Sequence, residues 1–171
     1  LDIYTHYLEK SDQDYFKKKK KKYTGANYIM DAEQAISFDE VANRLLYWEK
    51  FNKDYPNNHF KPQVIENIEQ YRSALFQGDD NTRTLWFDDD KIADEQAIKA
   101  IEKIAKSKTA SSQTAQKFVN LINASETLWQ QMPKPSRQYP EDNSPEQQEI
   151  RTQREAFEQK IKKSVEEILT Q

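Results

Sequence analysis

The residues able to carry out metal or nucleophilic chemistry are few and scattered. The chain has two histidines, His6 and His59, and no cysteine. His6 and Glu9 have the i, i+3 spacing that brings two side chains together on a helix, but no second pair of this kind lies near them. The absence of cysteine excludes disulfides, thiolate nucleophiles and cysteine-ligated metals. We therefore predict no metal site.

Catalysis is also poorly supported by the sequence. The two glycines, Gly25 and Gly78, are too far apart to form a phosphate-binding loop, and no serine lies in a nucleophile elbow. We predict no catalytic residue and no cofactor. The one enzymatic hypothesis left is a carboxylate-dependent hydrolase, because the chain has 29 acidic residues from which a facing pair could come.

An acidic segment between Asp79 and Asp90 could suggest calcium binding. Placed on the twelve-residue EF-hand pattern, however, it has Arg83 where a ligand belongs and Thr84 where the sharp turn requires glycine. We interpret Asp88–Asp90 as negative charge at the start of a helix, where it interacts favourably with the helix dipole.

A run of six lysines, Lys17–Lys22, could contact phosphates or lipid headgroups, and its candidate contacts are Lys17, Lys18, Lys20 and Lys21. Aromatic residues flank the run and could stack on nucleobases: Tyr15, Phe16 and Tyr23. Nearby acidic residues offset much of the charge: Asp12, Asp14, Asp31 and Glu33. A solvated helix face is the alternative interpretation.

Candidate protein-binding residues lie in two connections between predicted helices. Leu85, Trp86 and Phe87 form a short apolar segment between polar stretches, and such a segment would bind a partner if it were exposed. The Pro-rich segment 132–145 cannot be helical, and it could dock a partner through Tyr139. Alternatively, Tyr139 anchors this segment as a strap across the bundle.

Apolar residues recur with helical spacing along most of the chain, and this pattern predicts the elements that position these candidates. The predicted helices span approximately residues 1–22, 37–55, 62–77, 91–106, 113–131 and 145–171. We predict an all-α fold: one domain over 1–171, an up-and-down bundle of four to six amphipathic helices with a Pro-rich crossover arm before a long C-terminal helix.

The composition limits the possible partners. The formal net charge is only −3, so no strong field attracts nucleic acid, and no apolar stretch is long enough to cross a membrane. We predict a non-catalytic helical binding or scaffolding protein whose partner is another protein. An anion-binding module is the alternative.

The compartment follows from weaker signals. Frequent Lys, Asn and Gln suggest a bacterial source, and a start at Leu1 suggests a preceding secretion signal, lipid tether, tag or further domain. We expect a periplasmic or other extracytoplasmic location, with the cytoplasm as the alternative. Membrane attachment would occur only through that tether.

Overall fold

The computed structural model describes residues 8–24, 29–30, 33–34, 36–79, 82–136 and 143–170. Helices dominate and pack against one another, which confirms the predicted all-α bundle. In chain order they are α1 (Lys10–Thr24), α2 (Phe38–Asp54), α3 (Lys61–Phe76), α4 (Glu95–Ala105), α5 (Ser112–Gln131) and α6 (Pro145–Leu169). Two antiparallel pairs of very short strands accompany them: β1 (Ile29–Met30) with β2 (Glu33–Gln34), and β3 (Gly78–Asp79) with β4 (Thr82–Arg83).

Helix α2 is the centre of the bundle. It packs on α3 and α4, α4 packs on α5, and α5 packs on α6. Helix α1 joins the core through Tyr15, whose ring lies 5.7 Å from that of Trp48 and is stacked on Phe60 at 4.0 Å. Aromatic and aliphatic side chains are fully buried between the helices, among them Trp48, Tyr71, Phe76, Phe118, Leu45 and Ile101.

Ser37 and Glu40 have the spacing of a capping box at the start of α2, and this capping box forms only in part. Ser37 accepts a hydrogen bond from the backbone N–H of Glu40 at 3.2 Å, as an N-cap residue does. The Glu40 carboxylate instead accepts a hydrogen bond from Nε of Arg44, one turn further along, at 2.7 Å. Arg44 is buried, so its guanidinium draws Glu40 away from the helix start.

Gly78 lies just beyond the end of α3, where the predicted helix over residues 62–77 also ends. It follows the C-cap residue Gln77 and has φ +76°, the left-handed conformation that favours glycine. A Cβ at this position would lie 2.2 Å from the carbonyl oxygen of Thr82, because β4 folds back closely over the end of the helix. The turn therefore requires glycine both for its positive φ and because there is no space for a Cβ.

The prediction for Asp88–Asp90 is wrong. Helix α4 begins at Glu95 rather than at Lys91, and its N-cap is Asp94, whose carboxylate accepts hydrogen bonds from Gln96 and Ala97. The three aspartates instead form a turn, in which Asp88 Oδ1 accepts from the backbone N–H groups of Asp90 and Lys91. Aspartate readily stabilises such turns by bonding to its own backbone, and here this competes with an earlier helix start.

This turn closes a small β-like hairpin over residues 84–94 that the helical periodicity did not predict. Backbone hydrogen bonds join its two arms: Asp94 N to Thr84 O, Trp86 N to Ile92 O and Asp88 N to Lys91 O, at 2.9–3.0 Å. Leu85 and Ala93 form the bridge between them. The hairpin occupies the connection between β4 and α4.

The Pro-rich connection is non-helical over 132–136 and 143–144, as predicted. Its first part is attached to α6, because Gln147 Oε1 accepts from the Ser136 N–H at 2.8 Å and Arg154 donates to the Pro133 carbonyl at 3.3 Å. Ser144 caps α6 through the N–H of Gln147 at 3.4 Å. Tyr139 lies outside the described residues.

Candidate functional site

The apolar segment Leu85–Phe87 is divided by the hairpin into two faces. Successive side chains of an extended strand point in opposite directions. Leu85 and Phe87 are accordingly part-buried against the core, whereas Trp86 is 57% exposed. The three residues therefore do not form one apolar patch, and only Trp86 presents a large surface to solvent.

The turn of the hairpin is attached to α5 and α6 through two side chains that also contact each other, Trp129 and Arg154. The indole Nε1 of Trp129 donates a hydrogen bond to the Asp88 carbonyl at 2.7 Å. The guanidinium of Arg154 lies over the same indole ring, 3.6 Å from its centroid, and donates to the carbonyls of Asp88 and Asp89 at 3.2 and 3.3 Å. Phe87 packs edge-on against Trp129 at 5.5 Å. The hairpin that carries Trp86 is therefore firmly attached to α5 and α6.

Arg154 is 7% exposed, and burial lowers its pKa while the nearby charges of Asp89, Asp90 and Asp88 oppose that effect. The sequence shows this arginine only as an interruption in the apolar stripe of α6. A buried arginine needs hydrogen-bond acceptors, and here backbone carbonyls of the turn and the Pro-rich connection supply them.

A second candidate site is a cleft of approximately 500 Å³ between α1 and α2. Tyr47 and Phe51 on α2 and Tyr55 at its C-cap recur every fourth residue, so their rings lie on one side of the helix. The ring centroids of Tyr47 and Phe51 are 6.2 Å apart, and those of Phe51 and Tyr55 are 4.9 Å apart. Charged side chains also line the cleft: Asp14, Lys17, Lys18, Lys50 and Asp54.

Asp14 connects the two helices of this cleft. Its Oδ2 accepts from the Tyr55 hydroxyl at 2.8 Å, its backbone carbonyl accepts from the Tyr47 hydroxyl at 3.0 Å, and its Oδ1 is paired with Lys10 at 2.5 Å. The lysine bond in particular lowers the pKa of Asp14. Burial and the nearby Asp14 charge raise the pKa of Tyr47 to about 12, so its phenol stays neutral at physiological pH.

The lysine run is only partly described. Lys17 is exposed at the cleft, and the Lys18 ammonium lies 4.5 Å from the centroid of the Tyr47 ring. The side chains of Lys20, Lys21 and Tyr23 lie outside the described residues. The prediction that Tyr15 could stack on a base is wrong, because this ring is 2% exposed and already stacked on Phe60. Phe16 is part-buried against the same Phe60 ring.

Glu49 is a buried carboxylate on α2 that accepts hydrogen bonds at the start of α5. Its Oε1 accepts from the backbone N–H of Ser111 at 3.1 Å and also from the Ser111 hydroxyl. Ser111 is the N-cap residue of α5, and its own side chain caps no helix N–H. Glu49 thus supplies, from α2, the acceptor and negative charge that a helix start favours.

Glu49 also borders a second cleft of about 580 Å³, where Lys50, Lys53 and Lys108 lie.

The described histidine, His59, forms an ion pair with Asp12, its Nδ1 lying 3.1 Å from the carboxylate. That hydrogen bond, together with the Asp12 and Glu9 charges, raises the pKa of His59. His6 lies outside the described residues. Within the part of the chain that the structure describes, no group of three or more histidine or acidic side chains could hold a metal ion.

Comparisons with known proteins do not narrow the function. No protein-family model, curated protein or solved structure matches the chain. None of the described helices is long and apolar enough to cross a membrane.

Proposed function

We propose that this protein is a non-catalytic binding protein and that Trp86 is its principal contact with another protein. The observation that supports the proposal is the 57% exposure of Trp86 between two part-buried neighbours. Tryptophan is among the residues most enriched where binding energy concentrates in protein interfaces. A large exposed indole in a fixed backbone position is suited to such a contact.

The contacts that hold the hairpin in place favour tight binding of a partner by Trp86. Hydrogen bonds from Trp129 and Arg154 fix the turn two residues further on, and Leu85 pairs with Ala93 across the hairpin. A contact residue on a rigid element loses little conformational entropy when it binds.

The test compares Trp86→Ala with Leu128→Ala, a matched control because Leu128 is a second large apolar side chain with 54% exposure. A photoreactive amino acid at the exposed position 91 of the same hairpin, with Trp86 retained, is used to identify the partner by cross-linking. With that partner purified, Trp86→Ala should weaken binding by about thirtyfold, the effect of a residue worth about 2 kcal/mol. Leu128→Ala should change binding by less than about threefold.

Thermal unfolding decides whether Trp86 is instead structural. We expect both variants to keep the wild-type Tm within about 2 °C, because a mostly exposed side chain contributes little to the core. A fall in unfolding free energy of about 3–5 kcal/mol, typical of truncating a buried aromatic residue, would contradict the proposal. Unchanged affinity of Trp86→Ala for the cross-linked partner would contradict it as well.

We also propose an extracytoplasmic location. A cysteine-free chain can fold in an oxidising or a reducing compartment, since it has no thiol to protect or to pair. Fractionation of cells that express the native gene tests this proposal, and recovery of the protein only with cytoplasmic markers would contradict it.

A further inference from the structure

We infer that helix α1 is a lid over an aromatic surface of the bundle, that the ion pair between Asp12 and His59 stabilises its closed position, and that it opens while the rest of the bundle stays folded. The surface beneath the lid is formed by α2 and its connection to α3, and its rings are those of Tyr47, Trp48, Phe51, Tyr55 and Phe60. The inference concerns a movement within the fold and does not depend on the function proposed for Trp86.

The apolar attachment of α1 to the bundle is small. Among the described side chains of α1, Tyr15 is the one apolar residue that is fully buried, and Phe16 is part-buried beside it. Helix α2, which is of similar length, buries six apolar side chains: Phe38, Val41, Ala42, Leu45, Trp48 and Phe51. Local opening costs least where few apolar contacts are broken, so α1 can detach at a lower free energy than α2.

Polar contacts supply much of the remaining attachment, and water can replace them. Asp14 accepts hydrogen bonds from the hydroxyls of Tyr47 and Tyr55, and the Asp12 carboxylate lies 3.1 Å from Nδ1 of His59. The His59 side chain is 66% exposed, whereas Asp12 is buried. Lifting α1 therefore returns a buried carboxylate to water, and it exposes the two hydroxyls instead of leaving them buried without a partner.

Opening of α1 enlarges the cleft between α1 and α2. Side chains of α1 form one wall of this cleft, and the rings of Tyr47, Phe51 and Tyr55 form its floor. The Tyr15 ring lies 5.7 Å from that of Trp48 and 6.3 Å from that of Phe51, so moving Tyr15 away uncovers part of each. The lid therefore controls access to a continuous aromatic surface that extends beyond the cleft floor.

The Asp12–His59 pair makes the closed lid sensitive to pH. The Asp12 carboxylate, through its hydrogen bond and its charge, and the Glu9 charge raise the pKa of His59, and both acids lie in or just before α1. The pair therefore stabilises the closed lid fully below about pH 6.5. This contribution is lost as the pH rises through the folded-state pKa of His59, so the lid should open more often in mildly alkaline solution.

The first experiment labels single thiols, because in a cysteine-free chain an introduced cysteine is the one thiol that reacts. Ser11→Cys places it at a buried position of α1, and Ser125→Cys, at a buried position of α5, is the matched control. Rates of reaction with iodoacetamide are divided by the rates of the same variants in concentrated urea. The normalised rate should be at least about a hundredfold higher at position 11, because only the lid has to open there.

Two labelling results would overturn the lid. Equal normalised rates at positions 11 and 125 would mean that α1 opens only when the whole bundle unfolds. A rate at position 11 equal to that of Thr152→Cys, at an exposed position of α6, would mean that α1 does not cover the bundle.

The second experiment tests the ion pair by hydrogen exchange followed by NMR. It uses His6→Gln, in which His59 is the single histidine. Protection factors of the backbone amides of residues 13–19 should fall by about fivefold between about pH 5.5 and about pH 8, while those of residues 45–51 stay constant. Adding His59→Gln should remove this pH dependence.

The control for the ion pair is Asp39→Asn, also in His6→Gln. It removes the ion pair of Asp39 with Lys103, which joins α2 to α4 and does not involve α1. This variant should keep the pH dependence of α1. Protection of α1 that does not change with pH, or that changes equally with and without His59, would overturn the role of the Asp12–His59 pair.

Discussion

The guanidinium of Arg154 lies 3.6 Å from the centroid of the Trp129 indole ring, and both residues bind the carbonyl oxygen of Asp88. The two side chains come from different helices, α6 and α5. Through them the Asp88–Asp90 turn, the Pro-rich connection and the two C-terminal helices are joined at one point. The position of Trp86 on the hairpin depends on this contact.

Arg154→Ala should lower the free energy of unfolding by about 2–3 kcal/mol, because it removes a buried cation stacked on Trp129 together with its hydrogen bonds to the carbonyls of Asp88, Asp89 and Pro133. Arg154→Lys should recover less than half of that loss, since an ammonium cannot reproduce the planar arrangement of donors. Urea-induced unfolding followed by circular dichroism measures both variants. Arg151→Ala, on the same helix with an exposed hydrogen bond to Asn143, is the control, with an expected loss below about 1 kcal/mol. A loss that small for Arg154→Ala would show that the contact is not stabilising.

Glu49→Ala should destabilise the protein by about 1–3 kcal/mol, because the N–H of Ser111 at the start of α5 loses its acceptor while remaining buried. Glu49→Gln should lose less, since its amide oxygen can still accept that hydrogen bond. The unfolding free energies of both are compared with that of Glu66→Ala, at an exposed position on α3, which we expect within about 0.5 kcal/mol of wild type. Equal stability of Glu49→Ala and Glu66→Ala would refute the capping role.

The pKa of His59 should lie above about 6.5, its ordinary value, because the Asp12 carboxylate stabilises the protonated imidazole. The pair therefore stabilises the fold fully below about pH 6.5, and this contribution is lost as the pH rises through the folded-state pKa. NMR titration of the imidazole carbon-bound protons measures the value, with His6→Gln used to assign the signals. In Asp12→Asn the pKa should move back toward 6.5, and an unchanged value would mean that Asp12 is not the cause.

Most helices could be predicted closely because their signals are local, but the first helix, predicted from residue 1, begins at Lys10. Ser37 and Ser144 cap α2 and α6, Gly78 ends α3, and apolar spacing identifies each buried face. The start of α4 was predicted four residues too early, because the aspartates of the 88–90 turn resemble the acidic first turn of a helix. The local sequence does not distinguish an aspartate turn from the acidic first turn of a helix. The hairpin is favoured because it buries Ile92 and Ala93.

The candidate sites were predictable only in part. Leu85–Phe87 and the lysine run were both identified, but the sequence could not indicate that Trp86 faces solvent while its two neighbours face the core. It also gave no indication that Tyr47 and Tyr55 share Asp14, since these hydrogen bonds join residues 33 and 41 positions apart.

The sequence by itself determined the fold class, most of the helix ends and the absence of thiol chemistry, because periodicity, capping residues and composition act over one or two turns. Only the tertiary structure decided that Arg154 is buried, that Glu49 caps a distant helix and that the rings of α2 form the floor of a cleft. Each of these depends on which helices pack together, and the cost of burying an unpaired polar group then selects its partner from far along the chain.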